Sequence, residues 1–385
     1  MELRELTVDD LDAVLDNRRR AFGPVPAPEE ERWRAMTASV MAGGRYLGVV
    51  DGPRLVATSR IHDFTQWWHG RPISMGGVAS VTVAPEDRGR GVGRILMQAT
   101  IDRCAALGHP ISALYPATTH IYRSLGWEHA GAMHRATLSA EALRTIRPTE
   151  QVKVRRMGPG DASEVIAILG RVHAATRACG PLVRDESAWR LCLEEKDDFL
   201  YLADDGFVVY HWDDDGIRVS NLVAGSEATA RALWSLVGSS ASVVKSVHAV
   251  VAPDDPVFWL IGDRPRDEVG QTRWMSRIVD LAPAVAARGF PAGVTLDTVI
   301  RIDDPQRPAN SGPWRLSVSG GSGTAEPAGT PPDAGPVFTA GAFSALFAGV
   351  PAATLRRSGI LTGPADDDDA LDTAFHAKPY MLDYF

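Results

Sequence analysis

Cysteine is scarce in this sequence, with only three residues in 385. Cys104, Cys179 and Cys192 are odd in number, far apart and without the paired spacing of metal ligands, which argues against a disulfide framework and against a zinc site. We interpret all three as small buried residues. The densest acidic run, four aspartates at 366–369, precedes an apolar segment and is interpreted as a helix start, where negative charge offsets the helix dipole. No metal site is predicted.

Long apolar runs and clustered positive charge are also missing. No window approaches the roughly 20 apolar residues of a membrane span, and the opening MELRELTVDD is charged and lacks the apolar region of a signal peptide. The formal net charge is -8, whereas nucleic-acid binding requires a cationic face. The sequence therefore predicts a cytoplasmic globular protein with neither membrane nor nucleic acid as a partner. A cationic small substrate fits this charge better.

One stretch, residues 80–107, has the pattern of a ligand-binding loop. Val81 and Val83 alternate with polar or small residues as in a strand, and Pro85 ends that strand. Three glycines follow within residues 88–93 (RGRGVG), directly before apolar or small residues at helical spacing. The predicted order is strand, glycine loop, helix.

Such a loop can bind an anion, because N–H groups at a helix start lack helical partners and the helix dipole adds positive potential there. Gly89, Gly91 and Gly93 let the backbone approach a diphosphate closely, and Arg88 and Arg90 can add charged donors. The alternative is a tight turn that leads into a core helix. The chain lacks the Gly-Lys-Ser/Thr of a Walker loop and the early glycine of a dinucleotide-binding fingerprint, so both are excluded.

Tyr122 is a second candidate. Residues 111–114 are predicted to form the next strand, and residues 119–125 a short helix that ends at Gly126. A phenol with a reference pKa near 10 can serve as a proton donor at neutral pH. The alternative is a core aromatic whose hydroxyl is satisfied by a neighbour.

The rest of the chain predicts two further domains. Residues 154–161 (VRRMGPGD), followed by an apolar helix, repeat the opening pattern LRELTVDD of residues 3–10, so a duplicated fold is expected. Where a second loop would lie, residues 221–234 contain one glycine and no Arg-x-x-Gly-x-Gly. Near residue 290 the pattern changes to alternating strands and short helices. The predicted domains are 1–148, 149–288 and 289–385, the last ending in a buried, apolar C-terminus.

The pattern Arg-x-x-Gly-x-Gly at 88–93, with Ile-Tyr-x-x-x-Gly at 121–126, resembles the acetyl-coenzyme A loop and tyrosine helix of GNAT N-acetyltransferases. The three-part order and the terminal Phe385 resemble one group of these enzymes, the Eis (enhanced intracellular survival) family. The resemblance implies a fold that is α+β and α/β in class. It consists of two tandem GNAT-like mixed-sheet domains, the second degenerate, and a C-terminal α+β domain like the sterol carrier protein.

The resemblance also implies a function: transfer of the acetyl group of acetyl-CoA to amines of cationic small molecules such as aminoglycosides, by a homo-hexamer. Tyr122 would be the general acid, and the terminal carboxylate of Phe385 the general base. The residues that would bind the coenzyme are Val81, Val83, Arg88, Gly89, Gly91 and Gly93. Family members often have Ser-Glu where this chain has Ala117-Thr118, so no coenzyme contact from position 117 is predicted.

Two alternatives stay open. The chain could be a non-enzymatic coenzyme- or lipid-binding protein, in which the third domain carries an apolar ligand and the loop is only structural. It could also acetylate protein lysines instead of small polyamines. The sequence defines the donor site far better than the acceptor site.

Overall fold

The computed structural model describes residues 1–214, 216–262, 268–329 and 335–385. Its helices are α1 (Leu11–Phe22), α2 (Ala27–Ala42), α3 (Val92–Ala106), α4 (Thr119–Arg123), α5 (Ala140–Arg144), α6 (Ala162–Ala175), α7 (Glu186–Cys192), α8 (Glu227–Gly238), α9 (Val257–Leu260), α10 (Leu281–Ala287), α11 (Ala340–Phe347), α12 (Ala352–Arg357) and α13 (Asp368–Ala374). Its strands are β1 (Glu2–Glu5), β2 (Tyr46–Asp51), β3 (Arg54–Trp68), β4 (Arg71–Val83), β5 (Ile111–Leu114), β6 (Glu128–Ser139), β7 (Arg155–Arg156), β8 (Leu182–Val183), β9 (Asp198–Ala203), β10 (Gly206–Asp213), β11 (Gly216–Ala224), β12 (Ser246–Val251), β13 (Glu268–Ile278), β14 (Leu296–Asp303), β15 (Gly312–Ser319), β16 (Ser322–Pro327), β17 (Val337–Thr339) and β18 (Leu361–Thr362).

The first two predicted domains share one sheet. Its strand order is β1-β2-β3-β4-β5-β13-β6-β12-β11-β10-β9-β7, and β8 pairs with β3. At the centre, β13 pairs antiparallel with β5 on one side and with β6 on the other, and β6 pairs antiparallel with β12. The first predicted domain therefore supplies β6, which pairs with β12 of the second, and the second supplies β13, which pairs with β5 of the first. The boundaries at 148 and 288 stay predictions, because the sheet is continuous across the first of them.

A second sheet, of order β16-β15-β14-β17-β18, belongs to the third domain with α11–α13. Its apolar core contains Phe338, Phe343 and Phe375, and the same cluster includes Trp68 and Trp274 of the large sheet. The third domain is thus packed onto the first by a shared core. Within the described ranges, no helix is both long and apolar enough to cross a membrane.

The C-terminal segment, residues 378–385, leaves the third domain and crosses the large sheet. The Tyr380 N–H donates to the Cys179 carbonyl (3.0 Å), and Gly180 makes room for it, since a Cβ there would lie 2.5 Å from the Tyr380 carbonyl oxygen. Met381 is fully buried, whereas Tyr384 is 59% exposed and Phe385 is half-buried. The third domain therefore sends its last residues into the first.

Two local interpretations can be compared with the structure. The aspartate run begins α13, as expected, and Asp368 there also accepts a hydrogen bond from Arg356 (2.6 Å). Cys104 and Cys179 are buried, but Cys192 is only half-buried, so its interpretation as a buried residue was wrong. It ends the short helix α7, where one face remains near the surface.

A buried ion pair ties β13 to the third domain. The Arg277 guanidinium donates to both carboxylate oxygens of Asp304 (2.7 and 3.0 Å), and the two side chains are 0% and 1% exposed. The guanidinium also lies over the Trp127 ring, 5.7 Å from its centroid. Removing one partner of such a pair leaves a buried charge uncompensated, which is more costly than losing a surface pair.

We expect Asp304→Ala to lower the free energy of unfolding by about 3–5 kcal/mol. The matched control is Asp297→Ala, which breaks a bidentate pair with Arg315 whose side chains are 57% and 60% exposed and should cost about 1 kcal/mol or less. Urea unfolding followed by circular dichroism measures both. Equal losses in the two variants would contradict the structural role of the buried pair.

Candidate active site

A gap opens in the large sheet between β4 and β5. These parallel strands pair only over Met75–Gly77 and Ile111–Ala113, after which β4 continues to Val83 with β3 as its strand partner on one side only. A bulge in the pairing of β4 with β3 follows, and Ser80 adopts a positive φ of 50° within it. The bulge turns the end of β4, so its outer edge carries backbone groups without a strand partner.

Val81 and Val83 face this gap with their backbone groups. The Ala84 N–H donates to the Val56 carbonyl of β3 (2.8 Å), and successive residues of an antiparallel strand point their N–H groups to alternate sides. The N–H groups of Val81 and Val83 therefore point away from β3 and into the gap. This is the arrangement needed to hydrogen-bond an extended chain such as pantetheine.

The glycine loop lies at the end of the gap. Gly89 and Gly91 have φ of 79° and 78°, a conformation that other residues adopt only with strain. Gly91 precedes α3 and its carbonyl accepts the N–H groups of Arg94 (3.1 Å) and Ile95 (3.2 Å), so the N–H groups before them remain available for an anion. A Cβ on Gly93 would lie 3.2 Å from Ile121 of α4, which packs the two helices closely.

The two arginines of the loop differ in their surroundings. Arg90 donates to Asp87 and to Asp51 (3.1 Å), and these hydrogen bonds raise its pKa. Arg88 is exposed and, in the part of the chain that the structure describes, has no carboxylate within ion-pair distance. Arg88 is therefore the cation free to meet a diphosphate, whereas Arg90 holds the loop in shape.

Tyr122 lies beside the gap on the α3 side of the sheet. It is 7% exposed and belongs to one apolar cluster with Val78, Met97 and Leu114, against which Val81 packs. Burial alone raises its pKa to about 12. Among the described residues, none accepts a hydrogen bond from its hydroxyl. A protonated donor is thus held in an apolar setting next to the strand edge.

Phe385 lies at the same gap on the opposite face. A Cβ on Gly77 would stand 3.1 Å from its ring, and the ring contacts Phe64 edge-on (centroids 5.0 Å apart) and Tyr115 (5.5 Å). Val78 directly follows Gly77, and Leu114 directly precedes Tyr115. Both of these side chains pack with Tyr122 instead of Phe385. Since neighbours in a strand point to opposite faces, the gap has Tyr122 on one face and the chain terminus on the other.

Residues that the sequence analysis missed position this terminus. The Tyr115 hydroxyl donates to the Asp383 carbonyl (2.9 Å), and Arg184 donates to the Asp383 carboxylate (3.2 Å). Tyr115 directly follows the predicted strand 111–114, which is a weak local signal. Arg184 has no such signal, because it is 199 residues away from its partner.

Basic groups dominate the surroundings of the terminus. Arg60 donates to His62 (2.9 Å), and no carboxylate within the described ranges pairs with Arg60. Burial first, and then the guanidinium groups of Arg60 and Arg184, hold the pKa of His62 well below its usual value. His62 is therefore neutral at pH 7, and its ring stacks on Phe64 with centroids 5.0 Å apart.

This geometry agrees with the matches to known proteins. Residues 2–130 and 180–278 match families described as acetyltransferase (GNAT) domains, and residues 281–382 match the sterol carrier protein domain. A crystal structure of a GCN5-related N-acetyltransferase from Kribbella flavida is 47% identical in sequence, with a TM-score of 0.97 over 100% of this chain and 98% of that chain. The chain belongs to the GCN5-related N-acetyltransferase family.

It is an Eis-like member of this GNAT family. N-acetyltransferase Eis of Mycobacterium tuberculosis is 27% identical over 60% of this chain and 62% of its own length. Eis1 from Mycobacterium abscessus, 21% identical, shares the fold with a TM-score of 0.78 over the whole of both chains. The predicted fold class, two GNAT domains and a sterol-carrier-like domain, is confirmed, and so is the prediction of an N-acetyltransferase. The non-enzymatic alternative is set aside.

We expect Gly91→Ala to raise the Kd for acetyl-CoA about tenfold, because alanine costs about 1–2 kcal/mol at positive φ and adds a Cβ where the diphosphate would approach. The control is Gly320→Ala, at φ of 57° with open space around it in the third domain. It carries the same backbone strain far from the loop and should leave that Kd unchanged. Isothermal titration calorimetry measures both, and an equal Kd in the two variants would contradict the assignment of the loop.

Proposed function

We propose that this enzyme transfers the acetyl group of acetyl-CoA directly to a primary amine, with Tyr122 as the proton donor to the departing sulfur. The observation that carries this proposal is the placement of Tyr122: a buried, protonated phenol without a hydrogen-bond partner among the described residues, beside the open edge of β4. The hydroxyl is not among the fully buried, unpaired polar atoms of the described residues, so it stays accessible although the ring is buried. An accessible phenol beside the gap is suited to meet a thioester sulfur.

Acetyl-CoA, the donor of GNAT acetyltransferases, fits the residues around the gap. The backbone of Val81 and Val83 would hold the pantetheine arm, and the diphosphate would lie on the loop formed by Arg88, Gly89, Gly91 and Gly93. This leaves the thioester where β4 and β5 separate. Binding at this position orients the carbonyl carbon before the amine arrives, which lowers the entropic part of the barrier.

The chemistry requires one bond to form and one to break. The amine nitrogen attacks the thioester carbonyl carbon, an N–H of β4 stabilises the oxygen as negative charge develops, and the C–S bond then breaks. The sulfur gains a proton and the nitrogen loses one. A thiol has a reference pKa near 8.5, so complete transfer from a phenol of pKa about 12 is uphill by roughly 5 kcal/mol. Tyr122 therefore acts mainly through a hydrogen bond that strengthens as the sulfur becomes negative.

The proton from the amine goes to the other face of the sheet, where we propose the carboxylate of Phe385 as the acceptor. A solvated terminal carboxylate has a reference pKa near 3.5 and is a weak base. The position of this carboxylate compensates for its low basicity. Arg184 and Tyr115 both hydrogen-bond to Asp383, and this holds the C-terminus at the gap. The carboxylate orients the neutral amine and accepts the proton that the nitrogen loses as the new C–N bond forms.

The acceptor amine is the least defined part of the site. Aminoglycosides stay our proposed substrates, and protein lysines the alternative. Arg60, which has no carboxylate partner among the described residues, disfavours an acceptor that is positively charged at its inner end, so the amine must enter neutral or face the terminal carboxylate. A hexameric assembly and a cytoplasmic location also stay predictions.

We expect Tyr122→Phe to lower kcat about a hundredfold while the Kd for acetyl-CoA stays close to the wild-type value. Because the phenol remains protonated from about pH 6 to about pH 9 at its raised pKa, the loss should be the same factor across this range. Thiol release from acetyl-CoA, with an aminoglycoside and with a lysine peptide as acceptors, measures kcat and separates the two substrate classes. An unchanged kcat would contradict the assignment of Tyr122 as the proton donor.

A second variant addresses the terminus. One glycine appended after Phe385 moves the carboxylate by about 3.5 Å, and we expect kcat to fall about a hundredfold, as for other misplaced catalytic groups. Phe385→Tyr is the control, since it keeps both the ring and the position of the carboxylate, and it should remain active. Full activity of the extended chain rules the carboxylate out as the base.

A further inference from the structure

Arg60 lies on the face of the sheet that carries Phe385. Its neighbour Ile61 packs in the apolar cluster of Tyr122, on the other face, and successive side chains of a strand point to opposite faces. Arg60 donates to His62 (2.9 Å), whose ring lies 6.1 Å from the Phe385 ring, measured between centroids. One imidazole ring therefore separates this guanidinium from the ring of the terminal residue.

The same guanidinium is close to the bend of β4. Arg60 pairs across the strands with Ala79, and the bulge with its positive φ at Ser80 follows directly. Val81, whose backbone N–H points into the gap, is the next residue. A molecule bound between the terminus and the end of β4 would therefore lie beside Arg60.

Arg60 is a half-buried cation without a balancing anion. No carboxylate of the described residues lies within ion-pair distance of it, and its Nε and Nη2 both contact the Nε2 of the neutral His62. The remaining Nη1 is neither hydrogen-bonded nor among the fully buried polar atoms, so it stays accessible. Burial lowers the pKa of this guanidinium, which means that its surroundings disfavour the charge. An anion bound at Nη1 would offset that cost.

The terminal carboxylate of Phe385 is a free charge of the opposite sign on this face. Within the ranges that the structure describes, no cation lies at ion-pair distance from it. Arg184 is already engaged, because it donates to the Asp383 carboxylate (3.2 Å) and to the Tyr384 carbonyl (3.4 Å). A molecule that binds between Arg60 and the terminus thus meets one free positive charge and one free negative charge.

We propose that the acceptors of this enzyme include small amino acids, which bind with the amine at the terminal carboxylate and their own carboxylate at Arg60. A guanidinium binds a carboxylate through charge-assisted hydrogen bonds. One guanidinium matches one negative charge, which favours a carboxylate over a doubly charged phosphate. A short carbon chain between amine and acid would span the imidazole ring that lies between the two charges.

This inference rests on the acetyl transfer proposed above and adds an acceptor class to the aminoglycosides, which carry no acid group. The reaction itself is unchanged. The C–N bond forms and the C–S bond breaks, the nitrogen gives its proton to the terminal carboxylate, and the sulfur leaves as the thiol. The products are an N-acetyl amino acid and coenzyme A.

γ-Aminobutyrate and n-butylamine are matched probes, because their amines are nearly equal in basicity and only the first carries an acid. We expect kcat/KM, measured by thiol release with the full chain, to be about tenfold higher for γ-aminobutyrate, the equivalent of one hydrogen bond between charged groups. Arg60→Gln should remove most of this preference, and Arg60→Lys, which keeps the charge, should retain part of it. Equal kcat/KM for the two amines with the wild-type chain would overturn the proposal.

Arg71→Gln is the control variant. Arg71 also lacks a carboxylate partner in the part of the chain that the structure describes, but it begins β4 at the end far from the gap and donates to Ser322 (3.3 Å). The preference for γ-aminobutyrate should be unchanged in this variant. An equal loss of preference in Arg71→Gln and Arg60→Gln would contradict the proposal, and so would an Arg60→Gln variant that loses activity with both amines by the same factor.

Binding without turnover separates this inference from the proposed chemistry. Ligand-observed NMR with coenzyme A in place of acetyl-CoA measures the Kd of each amine. We expect γ-aminobutyrate to bind about tenfold more tightly than n-butylamine, to lose this advantage in Arg60→Gln and to keep it in Tyr122→Phe. A preference in binding without any acetyl transfer would contradict the proposed catalysis, whereas transfer to both amines without a preference would contradict the role of Arg60 alone.

Discussion

The need to pair every inner strand edge is the constraint on which this structure depends. Strand β5 has one edge on β4 and would leave the other open, and an open edge exposes a row of unpaired N–H and C=O groups. Strand β13, from the end of the second domain, pairs with this edge, and β6 pairs in turn with β12. The two domains therefore complete one another and fold as one sheet.

This exchange also determines where the groups proposed for catalysis meet. Because β13 is fixed between β5 and β6, the Arg277–Asp304 pair on it anchors the third domain beside the first. The C-terminal segment then has a short path across the sheet, between Gly131 and Gly180, to the gap of the first domain. The site proposed for catalysis thus has its proton donor from the first domain and its terminal carboxylate from the third, with Arg184 of the second holding the terminus in place.

Net charge and local charge lead to different expectations for the acceptor. The formal charge of -8 suggests a cationic substrate. Near the terminus, however, Arg60 has no carboxylate partner among the described residues, and His62 is kept neutral by burial and by neighbouring guanidinium groups. Interactions between exposed charges are screened over about 8–10 Å in physiological salt, whereas buried charges act at short range with little screening. The local groups therefore count for more than the net charge in what can approach the gap.

Local features could be predicted from the sequence alone. The loop at 88–93 and the tyrosine helix at 119–125 are encoded by neighbouring residues, since glycines at positive φ and a short capped helix depend on local conformation. The duplication and the third domain were also visible as repeated or changed patterns. Three features could not be predicted in this way, because they join residues far apart in the chain. They are the strand exchange, the packing of Phe385 against Gly77 and the contact of Arg184 with Asp383. Only tertiary packing brings such residues together, and no periodicity in one sequence records which distant strand will pair with which edge.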